Sequence, residues 1–218
     1  MKVPGELVRL KVLARKSVIA KYFENNATPK IHIGCGDHLF DGWLNCDKFM
    51  AGAEIYLNVY SKFPFKSDSF DKAYSEHLIE HLNVNKVQHF LEEVYRIIKP
   101  GGHLRLTCPD FDKYAAAYVN EDNDFYDRVK ENLAWKKETH PDLTWVMRSS
   151  GGAFVASILK DYFNHKWMYD FETLESCLLE VGFSKVIRQD FQKGLDEECA
   201  ALDDQGRAFE SLYIDAIK

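Results

Sequence analysis

The stretch Ile31-His32-Ile33-Gly34-Cys35-Gly36-Asp37-His38-Leu39-Phe40-Asp41-Gly42-Trp43-Leu44-Asn45-Cys46-Asp47 decides the fold of this 218-residue chain. Its opening apolar run, behind Thr28-Pro29, predicts a buried strand that enters the glycine turn Gly34-Cys35-Gly36. Trp43 to Asp47 predicts a second strand that ends on a carboxylate. A dinucleotide fingerprint would need a third glycine at position 39, which is Leu39, and an acidic residue about 20 positions on; Gly34 to Asp47 is only 13. The nicotinamide reading fails on both counts. The connecting helix must shrink to a turn around His38 to Asp41, and Asp47 stands where a carboxylate accepts hydrogen bonds from both hydroxyls of a ribose.

Outward from this stretch, Glu54 to Val59 and Phe70 to Tyr74 predict a third and a fourth strand. Val84, Val87, Leu91, Val94 and Ile98 step by 3, 4, 3 and 4, which predicts a helix with one apolar face, stopped by Lys99-Pro100-Gly101-Gly102. His103 to Cys108 alternates as a strand. Asp170 caps a second helix carrying Phe171, Leu174, Leu178 and Val181, with Gly182 at its end. Val186-Ile187 and Ser211 to Ile217 predict the closing strands, and the acidic stretch 190–204 between them predicts a solvated loop. Strands separated by helices predict one α/β domain with a parallel sheet and ligands beyond the carboxyl ends of its strands.

With residues 31–47, the segments LNVYSKFPFKSDSFDKAYSEHLIEH (57–81) and EEVYRIIKPGGHLRLTCPD (92–110) resemble the class I S-adenosylmethionine-dependent methyltransferases, in particular the bacterial type 11 subgroup. The resemblance covers roughly residues 30–110, and more loosely 170–217. It implies a Rossmann-like sheet, mostly parallel with an antiparallel last strand and helices on both faces. It also implies that Gly34, Cys35 and Gly36 let the backbone approach the methionine part of S-adenosylmethionine, that Asp47 binds the ribose, that Asn58 faces the adenine, and that Ser75 and Glu76 line the methyl end. Methyl transfer asks the protein chiefly to align an acceptor and, where needed, to take a proton. His77 stands nearest the expected methyl end, with His165 and Asp110 as candidates from the far side.

His77-Leu78-Ile79-Glu80-His81 also spells the H-x-x-E-H pattern of a zinc peptidase. No downstream third ligand is evident, and the methyltransferase motifs already account for the segment. The same residues resemble the Glu-x-x-Glu-His site of some magnesium-dependent methyltransferases, with His77 in place of a carboxylate, which would favour a softer metal. The preferred expectation is no metal, with Glu80 and His81 bonded to loop ends. A cofactor-binding protein without catalysis is the other alternative.

Composition adds boundaries. Lys+Arg 28 against Asp+Glu 34 gives −6, so nucleic acid is not expected as a partner. Residues 1–24 carry +4, a basic helical extension over 1–28 on a body of −10. The five scattered cysteines fit a reducing cytoplasm, and no apolar run is long enough to span a membrane. Of the 30 aromatic residues, 12 lie in 110–169, which predicts an insertion or lid forming the pocket of a small-molecule acceptor, hinged at Gly151-Gly152, or else the core of a helical subdomain or a homodimer contact.

Overall fold

The computed structural model describes residues 5–49, 52–132, 148–159 and 165–218. Its centre is a seven-stranded sheet: β1 (Lys30–Ile33), β2 (Leu44–Asp47), β3 (Ile55–Tyr56), β4 (Phe70–Glu76), β5 (Ile98–Pro109), β6 (Lys185–Gln189) and β7 (Ser211–Ile217), in the order β3-β2-β1-β4-β5-β7-β6. β1 to β5 pair in parallel, while β7 runs antiparallel to both β5 and β6. The expected sheet is therefore present. Its third strand is shorter than Glu54 to Val59, and its fifth begins already at Ile98, directly behind the helix.

Alternation along the strands sends Ile31, Ile33, Leu44, Leu104, Leu106 and Ile214 into the main core. There they meet α2 (Val84–Ile97) through Val87, Leu91 and Val94, and α6 (Phe171–Val181) through Leu174 and Leu178. Both helices end as their sequences dictate. Asp170 accepts a hydrogen bond from Thr173 N at 2.8 Å, and Gly182 closes α6 at φ 120°. The basic helix α1 (Gly5–Asn25) has no fully buried residue and packs only Val18, Ile19, Tyr22 and Phe23 against this core.

The opposite face is polar. His32, Asn45, Tyr74, Arg105 and Asp215 alternate with the core residues, and all are buried. No helix follows β1, because residues 34–43 make only turns. The cover comes instead from residues 190–207, including the short α7 (Glu197–Ala200), whose Cys199 packs on Trp43 and Tyr74. Here the expectation of a solvated loop over 190–204 is corrected. Arg105, fully buried, donates to Asp203 at 2.6 and 3.1 Å and to Asp215 at 3.1 Å, while Lys72 pairs with Asp196 and Glu198 and Lys30 with Glu198. The acidic residues serve cations on the sheet rather than solvent.

Between β5 and α6, α3 (Phe111–Val119), α4 (Asn123–Asn132) and α5 (Ser150–Leu159) build a second small core around Tyr114, Tyr126, Ala153 and Ala156. Phe125, Phe154 and Phe209 pack against it. These rings are thus packing residues of a helical layer. Gly151 and Gly152 lie in the first turn of α5, with Gly152 N bonded to Ser149 Oγ at 3.0 Å, so this pair is helix start rather than hinge. Trp135 and Trp145 lie outside the described residues.

Candidate cofactor and acceptor site

The chain leaves β1 toward β2 and β3 on one side and crosses to β4 on the other, so the switch point of the sheet lies between the carboxyl ends of β1 and β4. Gly34 and Cys35 both donate to Cys46 O, at 2.8 and 3.2 Å, which folds the turn back on β2. Gly34 has φ 76° and Gly36 φ 54°, the left-handed region that favours glycine. The two differ in surroundings. A Cβ on Gly34 would stand 2.8 Å from Leu78 Cδ2, whereas one on Gly36 would meet nothing within 4 Å. Gly34→Ala is therefore expected to destabilise the fold by about 2 kcal/mol, from left-handed backbone strain plus the Leu78 clash. Gly36→Ala should instead cost cofactor affinity. Thermal melts paired with ligand titrations of both variants check the contrast.

Asp47 ends β2 beside the turn. Its Oδ2 accepts from Gly36 N at 3.2 Å and its Oδ1 from Phe49 N at 2.5 Å, so the carboxylate is held in place by backbone donors. The Cys35 thiol is pushed up to about 12 by burial and by Asp47 and Glu54, which keeps it protonated. Asn58 follows β3 and shapes its own turn, accepting from Tyr60 N and donating to Ser61 Oγ, each at 3.3 Å. Open space at Gly36, a glycine backbone and an oriented carboxylate at the next strand end fit a nucleoside bound by its ribose, as the family resemblance implies for S-adenosylmethionine.

At the end of β4, Ser75 is fully buried with no hydrogen-bond partner among the described residues, so its side chain lies beneath the edge. Glu76 is half-buried, accepts from Asp204 N at 3.2 Å, and has its carboxyl raised by burial. His77 takes φ 45°. Its Nε2 lies 2.7 Å from Ser211 Oγ and its Nδ1 3.2 Å from Glu80 Oε1. Ser211 spends its one proton on Arg207 O at 2.9 Å, so Nε2 is the donor to Ser211. His77 therefore joins β4 to β7, and proton transfer at this ring must first break one of those contacts.

His165 stands against His81, ring centroids 4.9 Å apart, and both approach Glu80. Asp110 is buried. It caps α3 through Asp112 N at 3.0 Å and accepts from Arg188 at 2.6 Å, and burial raises its carboxyl. His77 and His165 thus converge on Glu80, while Asp110 faces Arg188. Sequence reasoning missed Arg188, Lys113 and Ser211, which line with Asp110, Asp190 and Tyr213 a cavity of about 360 Å³ at the carboxyl ends of β5 and β6. Burial lowers the Lys113 ammonium, which donates to Ser211 O at 2.6 Å.

The methyltransferase domain family matches residues 44–106. No curated protein matches the chain. Among solved structures, an S-adenosylmethionine-dependent methyltransferase of Archaeoglobus fulgidus is similar, with TM-score 0.50 and 14% identity over 97% of this chain and 94% of that one. A Thermotoga maritima protein described as a possible histamine N-methyltransferase is similar at TM-score 0.49 and 16% identity, over 97% and 91%. The first likeness speaks for the fold. With the family match across β2 to β5, the chain carries a methyltransferase domain at residues 44–106 within the fold of the class I S-adenosylmethionine-dependent methyltransferases.

Proposed function

We propose that this methyltransferase acts on an oxygen or nitrogen of a small polar acceptor, of the kind found on sugars or natural-product intermediates. The observation that carries this reading is the charged cavity lined by Asp110, Lys113, Arg188 and Ser211, which shares Ser211 with the His77 contact. Its volume suits a small molecule and its lining suits hydroxyl, amino or carboxylate groups.

S-adenosylmethionine supplies an already activated methyl group. The residues of this chain have three tasks. Gly34, Cys35, Gly36, Asp47 and Asn58 hold the cofactor, Ser75 and Glu76 shape the methyl end, and His77, His165 and Asp110 are the groups placed to orient an acceptor or take its proton. The reading further takes 1–218 as one domain, with the basic 1–28 extension and the 110–169 layer walling the acceptor side. It also takes the chain as a cytoplasmic homodimer without a nucleic-acid partner. Buried free thiols at Cys35, Cys46, Cys108 and Cys199 and exposed Leu10 and Leu13 on α1 support those points. No helix among the described residues is long and apolar enough to cross a membrane.

Incubation with methyl-labelled cofactor and separate pools of sugar nucleotides, amino sugars and hydroxylated metabolites should label one pool, with equimolar S-adenosylhomocysteine released. Lys113→Met should abolish labelling while leaving cofactor affinity unchanged. Micromolar cofactor binding with no turnover on any pool would instead establish a binding protein without catalysis.

A further inference from the structure

Beside the cofactor edge lies a group of residues that the methyl-transfer reading does not use as a set. Glu80 and His81 are neighbours on the 3-10 turn Ile79–His81, and His165 reaches them from the far end of the helical layer. The chain holds the two segments together, because Lys166 N and Trp167 N both donate to Glu80 O, at 2.6 and 3.3 Å. One carboxylate oxygen and one nitrogen of each imidazole lie within 4.8 Å of one another.

The carboxylate points to a ligand. Glu80 is 1% exposed, and among the described residues neither of its oxygens accepts a hydrogen bond. A buried carboxylate left this way is costly unless a cation faces it. His77 Nδ1 stands on one side of Oε1 at 3.2 Å and His81 Nε2 on the other at 3.8 Å. We propose that Glu80, His81 and His165 form a binding site for a divalent transition-metal cation of the zinc class.

Two imidazole nitrogens with one carboxylate oxygen are the donors of a borderline cation, whereas magnesium and calcium take oxygen sets. Tetrahedral coordination at bonds of 2.0–2.2 Å places donor atoms roughly 3.4 Å apart, so closure by at most about 1.4 Å completes the site. His81, with its side chain 37% exposed, leaves the fourth position open to water or to an acceptor oxygen. His77 is not a ligand here; it stands behind Glu80, its Nδ1 3.2 Å from Oε1, in the position of an outer partner. The site departs from the expectation of no metal, and its donor set differs from H-x-x-E-H by taking His165 in place of His77.

Metal-stripped full-length protein should bind one equivalent of Zn2+ by calorimetry, and Co2+ in its place should give the visible absorption of a tetrahedral site. His81→Ala and His165→Ala should each weaken Zn2+ by at least about 10-fold. Glu80→Gln should do the same if its melting curve shows it folded, whereas His38→Ala on the surface should change nothing. Excess Mg2+ should not displace Co2+. Absence of a one-equivalent event, or affinity indifferent to both His81→Ala and His165→Ala, overturns the site. The readout is the metal itself, so this result stands apart from whether any acceptor is methylated.

Discussion

Asp47→Ala is expected to lower affinity for S-adenosylmethionine by roughly 100-fold or more. The carboxylate offers charge-assisted hydrogen bonds to two ribose hydroxyls, each worth about 1.5–3 kcal/mol, and about 1.4 kcal/mol is a tenfold change in affinity. It also holds Gly36 N and Phe49 N, so its loss loosens the turn as well as the ligand. Asp47→Asn separates the two effects: the amide keeps an acceptor for one backbone donor but loses the charge, and should bind about tenfold more weakly at unchanged thermal stability. Calorimetry with S-adenosylhomocysteine reads both variants. Unchanged affinity in Asp47→Ala would remove the ribose assignment.

Arg105→Met should be the most destabilising single change in the sheet. The guanidinium is fully buried between Asp203 and Asp215 and also donates to the carbonyls of Asp190 and Lys193. Removing it strands two buried carboxylates, a loss of about 3–5 kcal/mol, or a fall of roughly 10 °C in melting temperature for a chain of this size. The pH dependence shifts with it. Burial tends to raise the Asp215 carboxyl, but hydrogen bonds from His103 and Leu195 N, together with the His103 and Arg105 charges, hold it below its ordinary value. A depressed carboxyl gives stability that is full above the unfolded value of about 3.9 and is lost as pH falls through the folded one. In Arg105→Met that depression shrinks, so acid unfolding should begin at higher pH. Urea titrations across pH 3 to 7 (about four units, centred near carboxylate titration) would show both the loss and the displaced acid limb.

Features encoded locally could be read from the chain. Ile31 to Ile33 before two glycines, the apolar stripe from Val87 to Val94, and Asp170 and Gly182 around α6 each carry their reason within a few residues, and each stands where expected, whereas Val84 at the head of the stripe is exposed. Asp47 was read as a ribose ligand because a carboxylate at a strand end has few other uses, and it ends β2 beside the glycine turn. What stayed hidden depends on distant partners. Nothing near Asp196, Glu198 and Asp203 announces Lys30, Lys72 and Arg105, so an acidic stretch looked solvated although it closes a sheet face. An arginine in the middle of an alternating strand was the available signal. His165 likewise meets His81 only through the folded helical layer, and Ser149 turns Gly151-Gly152 into the start of a helix because its hydroxyl caps that turn.

The polar sheet face has a consequence for how the chain reaches its native state. Its cover joins partners separated by 98 residues for Arg105 and Asp203, 126 for Lys72 and Glu198, and 168 for Lys30 and Glu198. A helix between β1 and β2 would have sealed that face early, from neighbouring sequence. Here Tyr74, Trp43 and Arg105 take their cover from residues 190–207, which follow β1 to β5 in the chain. Contacts of such long range close slowly, and a waiting half-covered sheet is the species most prone to pair with another chain. The shortened link at the cofactor turn therefore makes a late-translated covering segment a condition for the first strands to be safe from aggregation.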